Sequence, residues 1–521
     1  MRTQLATVLA VAVGAAALLA QTRREVVYSR PTPPSAEVLD RLNLHLAWNT
    51  AVPMDGKRDG FLRIEVIGPD VFVVTRSGLV ARLDGETGRM LWRTRVDRPY
   101  TMMPYVAVNR RSVYLVANAY LHSLDRETGS VRWEFPVPGG IAAPPEVDNR
   151  AIYLTSFDGT LYAFQLPTAD SSISPDAAAV RVTGGFGSDS QLETLLRPRV
   201  RWSAQTNLEP SFRPVQSTNR LLVVSPEGRG IVFAKIPKEG VPSAELYRYR
   251  TEGRILVPPT AYGDVAYVGS DDGILYALDL PSGKGVWRYT AGYRITRQPI
   301  SLDEDVFITS EQDGLTRINR ETGEALWRIP RGSALVPGVA EADRFLAAND
   351  RFVYTSDHSG RLLILDRHRG RRLSMVDTTA YRFPVINSVT DRLYLAAHDG
   401  TILCLHDYDQ KSPIRHRRIL ERQLRARLET PISAEGVREP MRLADALERF
   451  TGSYAIEFRI DDAAFRRAGL PSPAARNVTL PRIDNKPLSG YLRTVLGQAG
   501  ASYTIEDEMV MVVPAPPPAK K

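Results

Sequence analysis

The sequence predicts a mainly β protein: an eight-bladed β-propeller closed by its N-terminal strand, followed by a small α+β domain. Three observations carry this reading. The phrase "LDGETGRMLWRTRV" at 83–96 returns as "LDRETGSVRWEFPV" at 124–137, "LDLPSGKGVWRYTA" at 278–291 and "INRETGEALWRIPR" at 318–331. Tryptophans in such segments recur at the period of a four-stranded blade. Beyond residue 429, helical and extended patterns alternate.

At the N-terminus, Arg2 precedes the apolar run "LATVLAVAVGAAALLA" at 5–20. That run is long for the core of an export signal and short for a membrane span. Residues 1–20 are expected to be a signal peptide or membrane anchor, and 21–43 a linker. Leu18, Arg23 and Arg24 weigh against cleavage after Ala20, and no Cys follows the run to carry a lipid. The expected localisation is therefore periplasm or cell envelope, with inner-membrane anchoring as the alternative.

The 521 residues hold 67 Lys and Arg against 59 Asp and Glu, a net charge of +8. Arginine supplies nearly all the positive charge, and it is dispersed. That pattern reads as a solvated surface and gives no nucleic-acid track. The one cysteine, Cys404, excludes an intrachain disulfide and a multi-cysteine metal site.

Each repeat reads as strand, Asp-Gly-type turn, strand, Thr-Gly-type turn, Trp strand, as in "VAYVGSDDGILYALDLPSGKGVWRYTAG" (265–292). Glycine admits the positive φ of such turns, and Asp bonds its own backbone there. Trp48, Trp92, Trp133, Trp202, Trp287 and Trp327 mark the last strand, with Tyr247 and Leu373 filling the vacant slots. Successive spacings of 44, 41, 69, 45, 40, 40 and 46 give eight units over 44–408. The long spacing holds a Ser-, Ala- and Gly-rich insertion at 168–198, a surface loop of the third blade. Trp48 precedes any complete repeat, whereas "RLYLAAHDGTILCLHDY" (392–408) lacks its Trp strand. The N-terminal strand is thus expected to complete the last blade and remove both open edges. The six tryptophans are the expected blade-docking residues.

This repeat resembles the pyrroloquinoline-quinone-type propeller family, in which such tryptophans dock between blades. The resemblance implies the fold. For function it leaves two outcomes, because the repeat builds both quinone dehydrogenases and cofactor-free scaffolds. Those dehydrogenases use calcium, which needs six to eight converging oxygens. Asp272, Asp313 and Asp399 instead recur in hairpin turns. The pairs His398/His406 and His358/His368 have no metal-ligand spacing. "TGGFGSDS" (183–190) lacks the Lys-Ser/Thr of a phosphate loop. No catalytic, cofactor-binding or metal residue is assigned, and no cofactor is expected.

Residues 409–428 place Ile414, Leu420, Leu424 and Leu428 on one helical face amid arginines. A basic helical connector lying on its own propeller is expected, with contact to acidic lipid or an acidic partner as the alternative. In 429–515, Pro440 fits the first turn of a helix bearing Leu443, Ala446, Leu447 and Phe450, stopped by Gly452. Strands at 454–460 and 477–483, a helix at 487–500 ended by Gly500, and a strand pair at 502–515 follow. Residues 516–521 are a disordered tail. The phrases "MRLADALERFTG" and "KPLSGYLRTVLGQAGASYTIEDEMVMV" resemble the short N-terminal module of secretins and TonB-linked receptors, which implies docking without catalysis.

The expected function is an exported, non-enzymatic scaffold, resembling in its first part the outer-membrane assembly lipoproteins. Its expected partners are other envelope proteins, outer-membrane or secretion components, and no nucleic acid. Membrane association is expected through 5–20 or the 414–428 helix. The alternatives are a quinone- or calcium-dependent oxidoreductase, and a cell-wall or carbohydrate binder using Tyr100, Tyr105 and Tyr293.

Overall fold

Valine-rich and aromatic runs broken by Asp-Gly and Thr-Gly turns favour antiparallel ribbons, and the chain is mainly β. The computed structural model describes residues 31–516, other than 57, 97–100, 167–197, 238–243, 331–341, 455 and 507–508. Within them lie eight four-stranded antiparallel sheets, three smaller sheets and a few helices. The first sheet runs Phe61–Ile67, Asp70–Thr75, Leu79–Asp84, Met90–Arg95. Six more follow in the same order, over 102–136, 146–205, 215–250, 260–290, 300–330 and 344–376. The eighth joins Phe383–Pro384, Leu393–Ala396 and Thr401–Asp407 to Leu44–Ala51. In that pairing Trp48 stands opposite Cys404.

Second strands such as Asp70–Thr75 are buried at every position, whereas a fourth strand such as Glu245–Arg250 alternates with solvent. The inner strands are therefore covered on both faces, which neighbouring sheets do here and helices do in parallel folds. Arg213, just before the first strand of the fourth sheet, reaches Glu65 of the first at 3.7 Å and Glu146 of the third at 3.4 Å. First strands from separate sheets thus converge.

Fourth-strand aromatics bridge seven of the eight sheets to the next. The indole N–H groups of Trp92, Trp287 and Trp327 donate to the carbonyls of Arg126, Arg320 and Arg367, at 2.7, 3.0 and 2.7 Å. Trp202 donates to Lys235, and Tyr247 uses its hydroxyl on Leu280 at 2.6 Å. Trp48 of the eighth sheet donates to Gly85 of the first at 3.0 Å. Trp133 packs in one core with Ile152 and Leu154 of the third sheet. The Thr-Gly glycine of the receiving sheet is the other half of this device. Gly323 has φ +75°, and a Cβ there would lie 2.6 Å from Trp287. That turn needs glycine for its conformation and for the space the indole takes.

Two expectations change at this level. Leu373 does not fill the vacant tryptophan slot. It is 44% exposed, and Ser374 stands opposite Ile364 as Trp327 does opposite Arg317. The slot lies eight residues after the turn Asp, and Leu373 is one short of it. The arginines are also not uniformly solvated. Asp305 receives Arg317 at 2.8 Å and Arg367 of the next sheet at 2.7 Å, all three buried. Asp70, Arg82 and Arg126 repeat the arrangement between the first and second sheets.

The C-terminal residues share a core of Leu424, Leu428, Leu443, Leu447, Phe450, Leu492, Val495 and Val510. Here Glu457–Ile460 pairs in parallel with Met509–Pro514, which pairs antiparallel with Ala501–Glu506. Pro440 belongs to the strand Val437–Arg442, at a register break between Val437 and Met441 where a missing N–H is tolerated. The helix begins at Leu443 and runs through Gly452 to Tyr454. Gly500 (φ +62°) does follow the helix Leu488–Gln498. The connector helix is Arg418–Leu428, so Ile414 lies before it. Residues 1–30, 168–197 and 517–521, which hold the expected leader 1–20, the start of the linker, and nearly all of the insertion and the tail, lie outside the described residues. The insertion's flanks are the paired strands Thr160–Gln165 and Arg199–Gln205 of the third sheet.

Candidate functional site

An antiparallel sheet sends alternate turns to opposite sides. Turns between first and second strands therefore gather on one side of the array, and the C-terminal residues are fastened to them. In the eighth sheet, Asp391 accepts the Ile414 N–H at 2.9 Å, and the His416 N–H reaches Val389 O at 3.0 Å. Arg418 then pairs with Asp303 of the sixth sheet at 3.1 Å and Asp350 of the seventh at 2.9 Å. Leu420 enters the core formed by the fifth and sixth sheets. Farther on, Asp461 meets Arg110 of the second sheet at 3.0 Å, and Glu457 accepts from Asn149 of the third at 2.6 Å.

The connector helix thus divides its apolar face between two bodies. Leu420 packs on the sheets, and Leu424 and Leu428 complete the C-terminal core. The apolar stripe of this connector is therefore buried in protein. Beside the helix lies a cavity of about 780 Å³, bordered by Arg317, Arg367, Arg418 and Arg422 and by Asp303 and Glu421. Of its charges, Arg418 is paired with Asp303 and Asp350, and Arg317 and Arg367 with Asp305.

Electrostatics at this seam are set by burial. His416 is held at about 4, first by desolvation and then by Arg367. Asp391 is raised to about 6 by desolvation, against the opposing Ile414 N–H and Arg392. Burial likewise raises Glu146 beside Arg213, and the Cys404 thiol is pushed far up.

The residues weighed for chemistry do not converge. Asp272 and Asp399 accept backbone N–H groups two residues on, at 2.8 and 2.9 Å, as turn residues do. Asp313 opens a strand and faces Arg328 at 3.9 Å. His398 lies against Phe383 and His406 against His45, while His358 and His368 are both exposed, in separate turns of the seventh sheet. Among the described residues, no group of three His, Cys, Asp or Glu is placed to hold a metal ion. Of the aromatics offered for sugar, Tyr105 is covered by Arg63 and Arg213, at 4.4 and 5.2 Å. Tyr293 is 43% exposed, and Tyr100 lies outside the described residues. No described helix is long and apolar enough to cross a membrane. The side chains that fasten the C-terminal residues, Arg110, Asn149, Asp303 and Arg418, carry no sequence signal beyond their place in or beside turns.

A family model described as outer membrane protein assembly factor BamB matches residues 45–119, 76–255 and 188–433. The chain belongs to this family. BamB of Yersinia pestis is 24% identical over 307 residues, covering 56% of this chain and 72% of its own. BamB of Moranella endobia is 26% identical over 233 residues, covering 42% and 54%. Among solved structures, BamB from Moraxella catarrhalis superposes with a TM-score of 0.50 at 17% identity, over 70% of this chain and 97% of that one. For the BamB family this supports a β-propeller fold in the present chain. The matched span ends at 433, before the C-terminal helices and strands just described.

Proposed function

We propose that this chain is an exported, non-enzymatic scaffold of the cell envelope that serves outer-membrane protein assembly. Residues 44–408 form one eight-bladed propeller, with Leu44–Ala51 closing the last blade and the six tryptophans docking blade to blade. Residues 409–428 connect it to a secretin-type docking module at 429–515, and residues 1–20 direct export. Its partners are envelope proteins, outer-membrane or secretion components.

The observation that carries this reading is membership of the assembly-factor family. A second feature supports it: the side chains suited to chemistry are spent between sheets. Asp305, Asp70 and their arginines lie in sheet contacts, and the aspartates of the repeat hold turns. Surface is what remains for function.

The test is crosslinking in the intact envelope followed by identification of captured proteins. Recovery of outer-membrane assembly or secretion components is the expected result. Stoichiometric uptake of pyrroloquinoline quinone with calcium, seen as a bound chromophore, would overturn the scaffold reading.

A further inference from the structure

The side of the array away from the C-terminal residues carries a second cavity. It measures about 250 Å³ and lies between the seventh and eighth sheets, beside the turn at 357–360 and the segment at 378–384. At ~30 Å³ per water this is room for about eight waters. Its walls combine an apolar side of Leu346, Tyr381 and Phe383 with three arginines. Arg297 precedes the sixth sheet, Arg344 opens the seventh, and Arg382 lies on the connection to the eighth.

The charges that line this cavity are unequally paired. Arg297 is engaged by Asp343 at 2.6 Å. Asp357 is taken by Arg361, also at 2.6 Å. Arg382 uses its Nε on the Thr379 carbonyl and leaves its terminal nitrogens to the rim. Arg344 is half-buried, and among the described residues no carboxylate offsets its charge. Its affinity for its proton is reduced to about 10, first by desolvation and then by Arg297. Taking a guanidinium out of water without a counter-charge is costly. Asp305 and Asp70 show how this chain pairs buried arginines. A planar donor facing a small polar cavity matches the geometry of a carboxylate or phosphate group.

We propose that this cavity binds an oxyanion, a carboxylate or phosphate group on a small or terminal moiety, with Arg344 as its main counter-charge and Arg382 at the rim. The apolar wall accommodates a short hydrocarbon or aromatic portion next to the anion. The site is independent of the scaffold reading, since it rests on charge and cavity alone.

The full chain is titrated calorimetrically with inorganic phosphate and, separately, with benzoate, in chloride buffer of constant ionic strength. Saturable binding of at least one is expected. Tighter binding of phosphate identifies a phosphate-bearing ligand, and tighter binding of benzoate a carboxylate on an apolar body. Arg344→Met is expected to weaken binding at least tenfold while leaving the ligand-free protein at least as resistant to heat, because an uncompensated charge has been removed. Should that variant fail to fold, Arg382→Ala, at an exposed position, is expected to weaken binding severalfold. Absence of saturable binding by both anions at 10 mM (a ceiling of about −3 kcal/mol in affinity) would overturn the proposal. So would binding that survives unchanged in the folded variants.

Discussion

Trp92 of the first sheet gives its indole N–H to the carbonyl of Arg126 in the second at 2.7 Å, and its ring rests where a side chain on Gly129 would be. Two parts of one sequence phrase, the Trp of one repeat and the Gly of the next, are therefore a single contact. Gly129 has φ +72°, and a Cβ there would lie 2.5 Å from the ring. Trp92→Ala should cost about 3–5 kcal/mol as a buried aromatic truncation. Gly129→Ala should cost at least the ~1–2 kcal/mol of a left-handed non-glycine residue, with the clash added. The two are coupled, so Gly129→Ala should cost less once Trp92 is already alanine. Urea denaturation of the four proteins reads this directly, and strict additivity would refute the contact.

Asp305 holds Arg317 of its own sheet and Arg367 of the next, and its side chain is fully buried. Removing the carboxylate leaves Arg317 without its counter-charge and Arg367 with only the exposed Asp350, 4.0 Å away. Asp305→Ala should therefore lose about 3–5 kcal/mol, as for a broken buried ion pair. Asp70→Ala, facing Arg82 and Arg126, should lose a similar amount. Losses below ~1 kcal/mol, the range of exposed pairs, would show that water reaches these sites.

His416 and Asp391 make opposite contributions to pH dependence. His416 drops from 6.5 to about 4 on folding, so the unfolded chain binds more protons between those values. It thereby removes stability as pH falls from 6.5 to 4. Asp391 rises from 3.8 to about 6, so the folded chain binds more protons and stability grows as pH falls from 6 to 4. At 1.36 kcal/mol per unit, each is worth on the order of 3 kcal/mol. These two contributions should nearly cancel between pH 4 and 6. His416→Leu should gain stability toward pH 4, and Asp391→Asn should lose it. Parallel profiles for all three proteins would show that neither shift exists.

Strand Leu44–Ala51 is the only described strand far in sequence from the other three of its four-stranded sheet. Deleting 44–51 removes Trp48 and its bond to Gly85, and bares the edge of Thr401–Asp407. A bare edge pairs with other chains. The truncated protein should self-associate in size-exclusion chromatography with light scattering and melt earlier. A monomer with unchanged melting would contradict closure by this strand.

Much of this architecture could be read in advance because each repeat fixes its own hairpins. Asp-Gly and Thr-Gly turns are local chemistry, and the tryptophan period counts sheets without needing their arrangement. Register is not marked where the tryptophan is absent: Leu373 is one residue from the slot that Ser374 fills. Pro440 and Gly452 misled because tertiary pairing overrode local preference, placing the first at a strand irregularity and the second inside a helix. The side to which the C-terminal residues are fastened is not legible in the sequence. Asp303 meets Arg418 across 115 positions, and nothing in either residue's neighbourhood announces the partner. The buried arginines were hidden for the same reason, since dispersion in sequence says nothing of the gap between two sheets.

Leu420 is where the two halves of the molecule are joined. Its side chain is 9% exposed and lies against the fifth sheet, with one methyl carbon 2.8 Å from where a Cβ on Gly263 would stand. One turn on, Leu424 belongs to the other core. The fastenings farther along the chain are polar and partly exposed, such as Arg110–Asp461, with side chains 27% and 23% exposed. Contacts of that kind contribute ~1 kcal/mol or less each. Arg110→Ala should therefore leave the junction intact, whereas Leu420→Asp places a carboxylate in an apolar core and should release the helix from the sheets. Limited proteolysis across 409–430 is the measurement: rapid cleavage in Leu420→Asp alone, with both fragments remaining folded. Equal resistance in the two variants would mean that the polar contacts, and not Leu420, hold the C-terminal residues in place.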